Sequence, residues 1–178
     1  GSFKIRGAFN KVANLTEEER AKGIIASSAG NHAQGVALAD SKMGIKATIV
    51  MPQVTPLIKI DSTKSYGADV VLHGNVYDEA YAKAVELAEA NGYTFVHPYN
   101  DYDVMCGQGT IALEILEELE DIDQILVPVG GGGLISGIAM AAKAIKPTIQ
   151  VIGVEPVGAA SMTAALDAGH VVTLDKVQ

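Results

Sequence analysis

The sequence has a single cysteine, no tryptophan and only nine other aromatic rings, six tyrosines and three phenylalanines, in 178 residues. Cys106 alone cannot close an internal disulfide, so a reducing, cytoplasmic setting is expected. Cations are scarce too. Thirteen Lys and Arg stand against 21 Asp and Glu, a formal charge of −8 and a pI near 4.9. Such a surface has no broad positive footprint, so neither nucleic acid nor an anionic membrane is an expected partner. Charged residues make up 19% against 48% apolar ones, which excludes a solvated, disordered chain. The uncharged run from Gln124 to Ala142 is about long enough to span a bilayer. Pro128 and four consecutive glycines interrupt it and would leave backbone groups unpaired in lipid. No secretory or transit segment opens the chain. A soluble protein with a sizeable core is expected.

What the chain does have is alternation. Strand-like runs at Gly23–Ser27, Ala47–Met51, Asp69–His73 and Tyr93–Val96 are separated by helical patterns at 31–43, 57–66 and 78–90. After the turn-rich patch His97-Pro98-Tyr99-Asn100-Asp101, the pattern resumes. A helix is predicted over 109–119, with Ile111, Ile115 and Leu119 on one stripe. A strand over 124–129, a helix over 134–145 and a strand over 149–154 follow. Strands spaced by helices imply right-handed crossovers and a mostly parallel sheet covered on both faces. The fold class is therefore α/β, and the break near residue 100 divides it into two lobes. Val171-Val172-Thr173-Leu174 reads as the approach to another element, and no strand precedes the first residues. Both ends read as cut from a longer chain.

Three places carry chemistry. Gly130-Gly131-Gly132-Gly133 lies between a buried strand and a helix, where one or two glycines would suffice for the turn. Backbone N–H groups without side chains, aimed by a helix N-terminus, form an anion cradle suited to phosphate. The alternative is a tight turn with close helix–sheet packing. The loop has no Lys, which excludes a nucleotide-triphosphatase loop. A dinucleotide-binding unit is imitated, with Glu155 at the end of the next strand to meet a ribose hydroxyl. The third glycine of that fingerprint, however, falls on Ile135 or Ser136. A second near-match at Gly107-Gln108-Gly109 follows no strand.

The second place is Ser27-Ser28-Ala29-Gly30-Asn31-His32, joining a strand to a helix. It reads either as a capped helix start, with Ser27 or Ser28 as the cap, or as an anion-binding turn suited to a carboxylate. The third is Lys4, between Phe3 and Ile5. A lysine in an apolar setting is a candidate imine-forming amine, although most lysines near a chain end are solvated. His73, His97 and His170 have no metal-like spacing with Cys106, so no metal site is expected.

Taken together, Ser2-Phe3-Lys4-Ile5-Arg6-Gly7-Ala8, then Ser28-Ala29-Gly30-Asn31-His32-Ala33-Gln34-Gly35, then Gly130 to Gly133 with Leu134-Ile135-Ser136-Gly137, resemble the fold-type II pyridoxal 5′-phosphate enzymes. The branch most resembled is the serine/threonine dehydratases (threonine ammonia-lyases), with serine racemase as a near relative. Gly107-Gln108-Gly109-Thr110 and Gly153-Val154-Glu155-Pro156 extend the likeness over essentially the whole chain.

The resemblance implies a two-lobed architecture with the larger lobe incomplete. Residues 1–22 would begin the larger lobe and carry the Schiff-base lysine. Residues 23–100 would form the small lobe with the asparagine loop, and 101–178 part of the larger lobe with the glycine loop. It implies pyridoxal 5′-phosphate as cofactor, with Lys4 as the covalent anchor and the base on the substrate α-carbon. Phe3 would pack beside the pyridine ring and Asn31 would bond its hydroxyl oxygen. Gly130, Gly131, Gly132, Gly133 and Leu134 would bind the phosphate. Ser28, Ala29, Gly30, Asn31 and His32 would receive the substrate carboxylate.

The implied reaction is β-elimination from L-threonine or L-serine to a 2-oxo acid and ammonia, within isoleucine biosynthesis or threonine catabolism, by a cytoplasmic homo-oligomer. Serine racemases carry Ser where this chain has Ala29, so racemisation would lack its second proton donor. Glu155 matches a cation-binding Glu of some relatives, but the companion acid is Ser161 here, leaving Glu155 a weak metal candidate. Relatives are considerably longer, and the residue facing the pyridine nitrogen normally follows position 178. The alternative is a non-catalytic α/β core that folds, binds cofactor or phosphate and turns nothing over.

Overall fold

A computed structural model describes residues 2–119, 121–174 and 177. The chain divides into two compact units, with the boundary between Gly107 and Gln108.

The first unit opens with helix α1 (Lys4–Ala13) and the short α2 (Glu17–Lys22), neither of which the strand-and-helix reading anticipated. Helix α1 buries Gly7, Ala8 and Val12 along one side, a helical spacing. Helix α2 is set by a capping box, in which Thr16 Oγ1 accepts from the Glu19 N–H and Glu19 accepts from the Thr16 N–H at 2.8 Å. Strand β1 (Ile24–Ser27), helix α3 (Asn31–Met43), strand β2 (Ala47–Met51), helix α4 (Leu57–Ser65), strand β3 (Asp69–Leu72), helix α5 (Tyr77–Asn91) and strand β4 (Thr94–Phe95) follow. They build one sheet in the order β3-β2-β1-β4, parallel throughout, as the alternating pattern predicts.

Alternation along the central strands explains why both are wholly buried. Ile24, Ala26, Ile49 and Met51 join a core with Ala8 and Val12 of α1 and Ala33, Val36 and Ala37 of α3. Ile25 and Val50 face the other way, onto Ala80 and Ala84 of α5. Covering both faces removes the solvent-facing side that would require polar residues at alternate positions.

Helix α6 (Tyr102–Glu118) contains the unit boundary. It begins seven residues before the predicted start, because Asp101 Oδ1 accepts the Val104 N–H and nucleates the turn. The near-match Gly107-Gln108-Gly109 therefore lies inside a helix and is no phosphate loop. The second unit continues with β5 (Gln124–Pro128), α7 (Gly133–Ile145) and β6 (Gln150–Val154), the two strands pairing in parallel. Ile125 and Val127 pack on Ala112, Ile138 and Ala142. A 3₁₀ turn (Val157–Ala159) and α8 (Ser161–Ala168), both unanticipated, complete the unit. Residues 171–174, expected to lead into another element, have no regular structure. Among the described residues no helix is long and apolar enough to cross a membrane.

Candidate active site

Lys4 is the first residue of α1, beside Phe3, whose ring centre lies 5.4 Å from the Lys4 ammonium nitrogen. The amine donates to the Pro98 carbonyl at 2.7 Å. Burial lowers the Lys4 pKa from its ordinary 10.5, and the positive end of α1 acts in the same direction. Lys4 is thus no frayed surface lysine. It is half-buried, oriented and biased toward its neutral, nucleophilic form.

Two helices allow this placement. A Cβ on Gly35 of α3 would lie 3.1 Å from the Ile5 nitrogen and 3.2 Å from the Lys4 carbonyl carbon. A Cβ on Gly107 would fall on the Arg6 carbonyl oxygen and 2.6 Å from Gly7 Cα. The turn of α1 that carries Lys4 is gripped between two glycines at helix crossings. In the sequence both glycines lie within longer motifs, and nothing local marks them as points of helix contact.

The asparagine loop starts α3. Gly30 is the cap residue and no side chain caps it. This corrects the expectation of a Ser27 or Ser28 cap: Ser28 Oγ instead accepts the Gly30 N–H, folding the loop on itself. The first-turn N–H groups of α3 are left without a side-chain partner, the condition for an anion site. Asn31 is exposed there, lining with Ser2, Ile5, Gln34 and Tyr66 a hollow of about 170 Å³.

His32 lies differently from Asn31. It is buried, and its Nε2–H donates to the Val96 carbonyl at 2.8 Å. Burial drives its pKa down to about 4, so the ring is neutral, and its Nδ1 has no protein partner. Ser27 Oγ, at the end of β1, is another buried polar atom without a partner.

In the second unit, the third of the four glycines, Gly132, has a φ of +84° that only glycine adopts without strain, and α7 begins at the fourth, Gly133, with no side-chain cap. A Cβ on Gly130 would meet nothing within 4 Å, whereas one on Gly132 would lie 2.9 Å from Met162 Cε. Leu134, at the first turn of α7, packs against the second unit's core.

Glu155 is committed elsewhere. Its two carboxylate oxygens accept from the Met162 N–H at 2.7 Å and the Thr163 N–H at 2.8 Å, capping α8. These bonds turn both carboxylate oxygens toward the start of α8 and lower the Glu155 pKa. Among the described residues no group of three His, Cys, Asp or Glu could hold a metal.

These residues fit pyridoxal phosphate in kind: a desolvated amine, uncapped helix starts, and a glycine loop with Gly132 in αL geometry and clear space at Gly130. Comparison with known proteins agrees. The family model described as "Pyridoxal-phosphate dependent enzyme" matches residues 1–178. The chain belongs to this family, whose cofactor is pyridoxal phosphate.

It is 57% identical over 170 residues to the L-threonine ammonia-lyase of Thermotoga maritima, covering 96% of this chain and 42% of that protein. It is 51% identical over 173 residues to the catabolic L-threonine dehydratase TdcB of Escherichia coli (strain K12), covering 97% and 53%. Among solved structures, the processed form of threonine deaminase isoform 2 from Solanum lycopersicum matches with a TM-score of 0.97 at 53% identity. That match covers 99% of this chain and 52% of that one. Maize serine racemase matches with a TM-score of 0.95 at 41% identity, covering 100% and 54%. The chain spans about half, or less, of the length of the curated relatives it matches.

Proposed function

We propose that the protein is an ammonia-lyase that eliminates water from L-threonine or L-serine and then takes water back as ammonia is hydrolysed off, a net loss of ammonia that gives 2-oxobutyrate or pyruvate. The observation that carries this reading is the Lys4 amine, desolvated at the start of α1 and held on the Pro98 carbonyl. When bound, pyridoxal phosphate supplies an aldehyde that captures an amino group and a conjugated ring that takes up the electron pair released at the substrate α-carbon.

Lys4 would hold the cofactor through Nζ. As a free neutral amine, it would take the α-proton, a task for which its lowered pKa suits it. Phe3 lies beside it as an apolar wall. Gly130 to Gly133 and the start of α7, with Leu134, would bind the phosphate through backbone N–H groups and the helix dipole, with no cationic side chain needed. The uncapped start of α3 would receive the substrate carboxylate through the backbone of Ser28, Ala29, Gly30 and Asn31, with the exposed Asn31 side chain free to reach the ring hydroxyl. His32, buried and turned toward Val96, would contribute its backbone to that turn while its ring faces away from solvent.

Water leaves by breakage of the α C–H and β C–O bonds. Hydrolysis of the released enamine then breaks C–N, and ammonia departs. Ala29 offers only a methyl group where a racemase would need a second acid, which favours one-way elimination.

The three-part division at residues 22 and 100, a homo-oligomeric assembly and a cytoplasmic setting complete the proposal. The decisive test is borohydride reduction of the protein loaded with pyridoxal phosphate, peptide mapping, and assay of 2-oxo acid release. Label on Lys4 together with 2-oxobutyrate from threonine is the expected result. Label scattered over surface lysines would overturn the site, and a Lys4 label with D-serine as the main product from L-serine would overturn the reaction.

A further inference from the structure

Pro98, the acceptor for Lys4, sits in a turn that two histidines fasten from opposite sides. On the inner side, His32 Nε2–H donates to the Val96 carbonyl at 2.8 Å, while the Val96 N–H donates to Ile25 O at 2.8 Å, so Val96 is tied both to α3 and to β1. On the outer side, His97 Nδ1 accepts from the Asn100 N–H at 2.8 Å and from the Tyr99 N–H at 3.2 Å. The His97 ring is itself packed edge-on against Tyr99, with ring centres 4.6 Å apart, and lies near Phe95 and Tyr81. Every peptide from Val96 to Asn100 is therefore within one residue of a fixed point. The Pro98 carbonyl between these fixed points accepts from Lys4 Nζ at 2.7 Å.

We propose that His32 and His97 are positioning residues for Lys4: they hold the 96–100 turn so that the Pro98 carbonyl is the resting acceptor of the Lys4 amine whenever that amine is free. This deepens the reading of Lys4 as the cofactor lysine and rests on it. A lysine that must leave and rejoin its partner needs a fixed place to wait, because an untethered four-carbon arm spends rotamer entropy on each return. A backbone carbonyl suits the task better than a carboxylate, since it directs the amine without raising its pKa by a full charge.

The outer fastening holds only while His97 is neutral, whereas His32 donates through Nε2 in either charge state. The buried Nδ1 of His32 has no protein partner. His97 accepts two N–H groups at Nδ1 and cannot do so when protonated there. The charged groups facing them agree. Lys4 opposes protonation of both rings and His97 opposes that of His32, while Asp101 alone favours protonation of His97. Asp101 is partly neutralised by Lys11 at 3.0 Å. Burial remains the largest influence, and both rings titrate below their ordinary range.

The test is competitive acetylation of the cofactor-free protein across pH, read by mass spectrometry at Lys4. It gives the Lys4 pKa and nucleophilicity without any turnover. In His97→Ala the turn loses its outer fastening, the Lys4 amine becomes more solvated, and its pKa is expected to rise toward the ordinary 10.5, with a smaller neutral fraction at pH 7. His97→Asn, whose side-chain oxygen can accept the same two N–H groups as an Asx turn, is expected to restore the wild-type value. An unchanged Lys4 pKa in a folded His97→Ala protein, or failure of Asn to rescue, overturns the proposal.

Should His97→Ala not fold, ¹⁵N spectra of the wild-type imidazoles decide. A protonated His97 Nδ1 at neutral pH overturns the proposal, and a bare Nδ1 with a slowly exchanging His32 Nε2–H supports it. None of these readouts involves threonine or serine, so failure of the ammonia-lyase assignment would be seen separately.

Discussion

Single residues in this protein derive their chemistry from where they are buried. Lys4→Ala is expected to abolish the visible imine band with pyridoxal phosphate while the circular dichroism of the fold stays intact. An unchanged band would remove Lys4 from its assigned role. His32 and Asp40 make a second prediction, with opposite signs. The folded His32 pKa of about 4 lies below the 6.5 of a free imidazole, so the unfolded chain binds more protons between those values. His32 therefore withdraws stability as pH falls from about 6.5 to 4. Asp40 is buried and raised to about 6 from 3.8, so the folded chain holds that proton more tightly, and its contribution is lost as pH rises from about 4 to 6. Because the two contributions oppose each other, urea midpoints of the wild type should change less over pH 4–6 than those of the variants. His32→Asn should leave a downward slope with rising pH and Asp40→Asn an upward one. Two parallel profiles would show that neither group titrates where its burial dictates.

Elements set the precision of the site. Helix α1 delivers Lys4 only because Gly35 and Gly107 let the neighbouring helices approach to backbone contact. Gly107→Ala places a methyl group on the Arg6 carbonyl, and overpacking of this kind costs about 1–3 kcal/mol. It should lower the unfolding midpoint and reduce imine formation together. Retention of both would mean that α1 and α6 move apart freely. At α7, replacing Gly131 and Gly132 together by bulky residues should weaken cofactor affinity sharply. A side chain would block the backbone N–H groups, and position 132 would be forced to keep φ near +84°. Unaltered affinity in equilibrium dialysis would place the phosphate elsewhere.

The elements differ in how far they could be foreseen. Strands β1, β2 and β3 were legible as short apolar runs bounded by turns. Helix α2 carried a readable capping box at Thr16 and Glu19, yet six residues are too few for hydrophobic periodicity to declare themselves. The early start of α6 depended on Asp101 accepting one N–H, an interaction that a turn-rich composition hides.

At the scale of the whole molecule, the first unit buries its parallel sheet on both faces, while the second packs one face of its two strands against α6 and α7 and leaves most of β6 exposed. A dinucleotide-binding unit requires strand, loop, helix, strand and a free acidic residue in succession. The first four are present, but Glu155 is spent on α8. Titration with NAD and with NADP should show no saturable binding; saturation lost in Glu155→Gln would reinstate that reading.

The amino-acid order by itself determined the alternation of strands and helices, the glycine loop and the asparagine loop, because these depend on local periodicity and on backbone freedom at named positions. Only the tertiary structure decided what Lys4 touches, which way His32 turns and how the turn at His97 is fastened. Lys4 and Pro98 are 94 residues apart, His32 and Val96 are 64 apart, and they meet because β4 pairs beside β1. A contact made by a backbone carbonyl across that separation has no side-chain pattern to announce it, and it exists only once the sheet has formed.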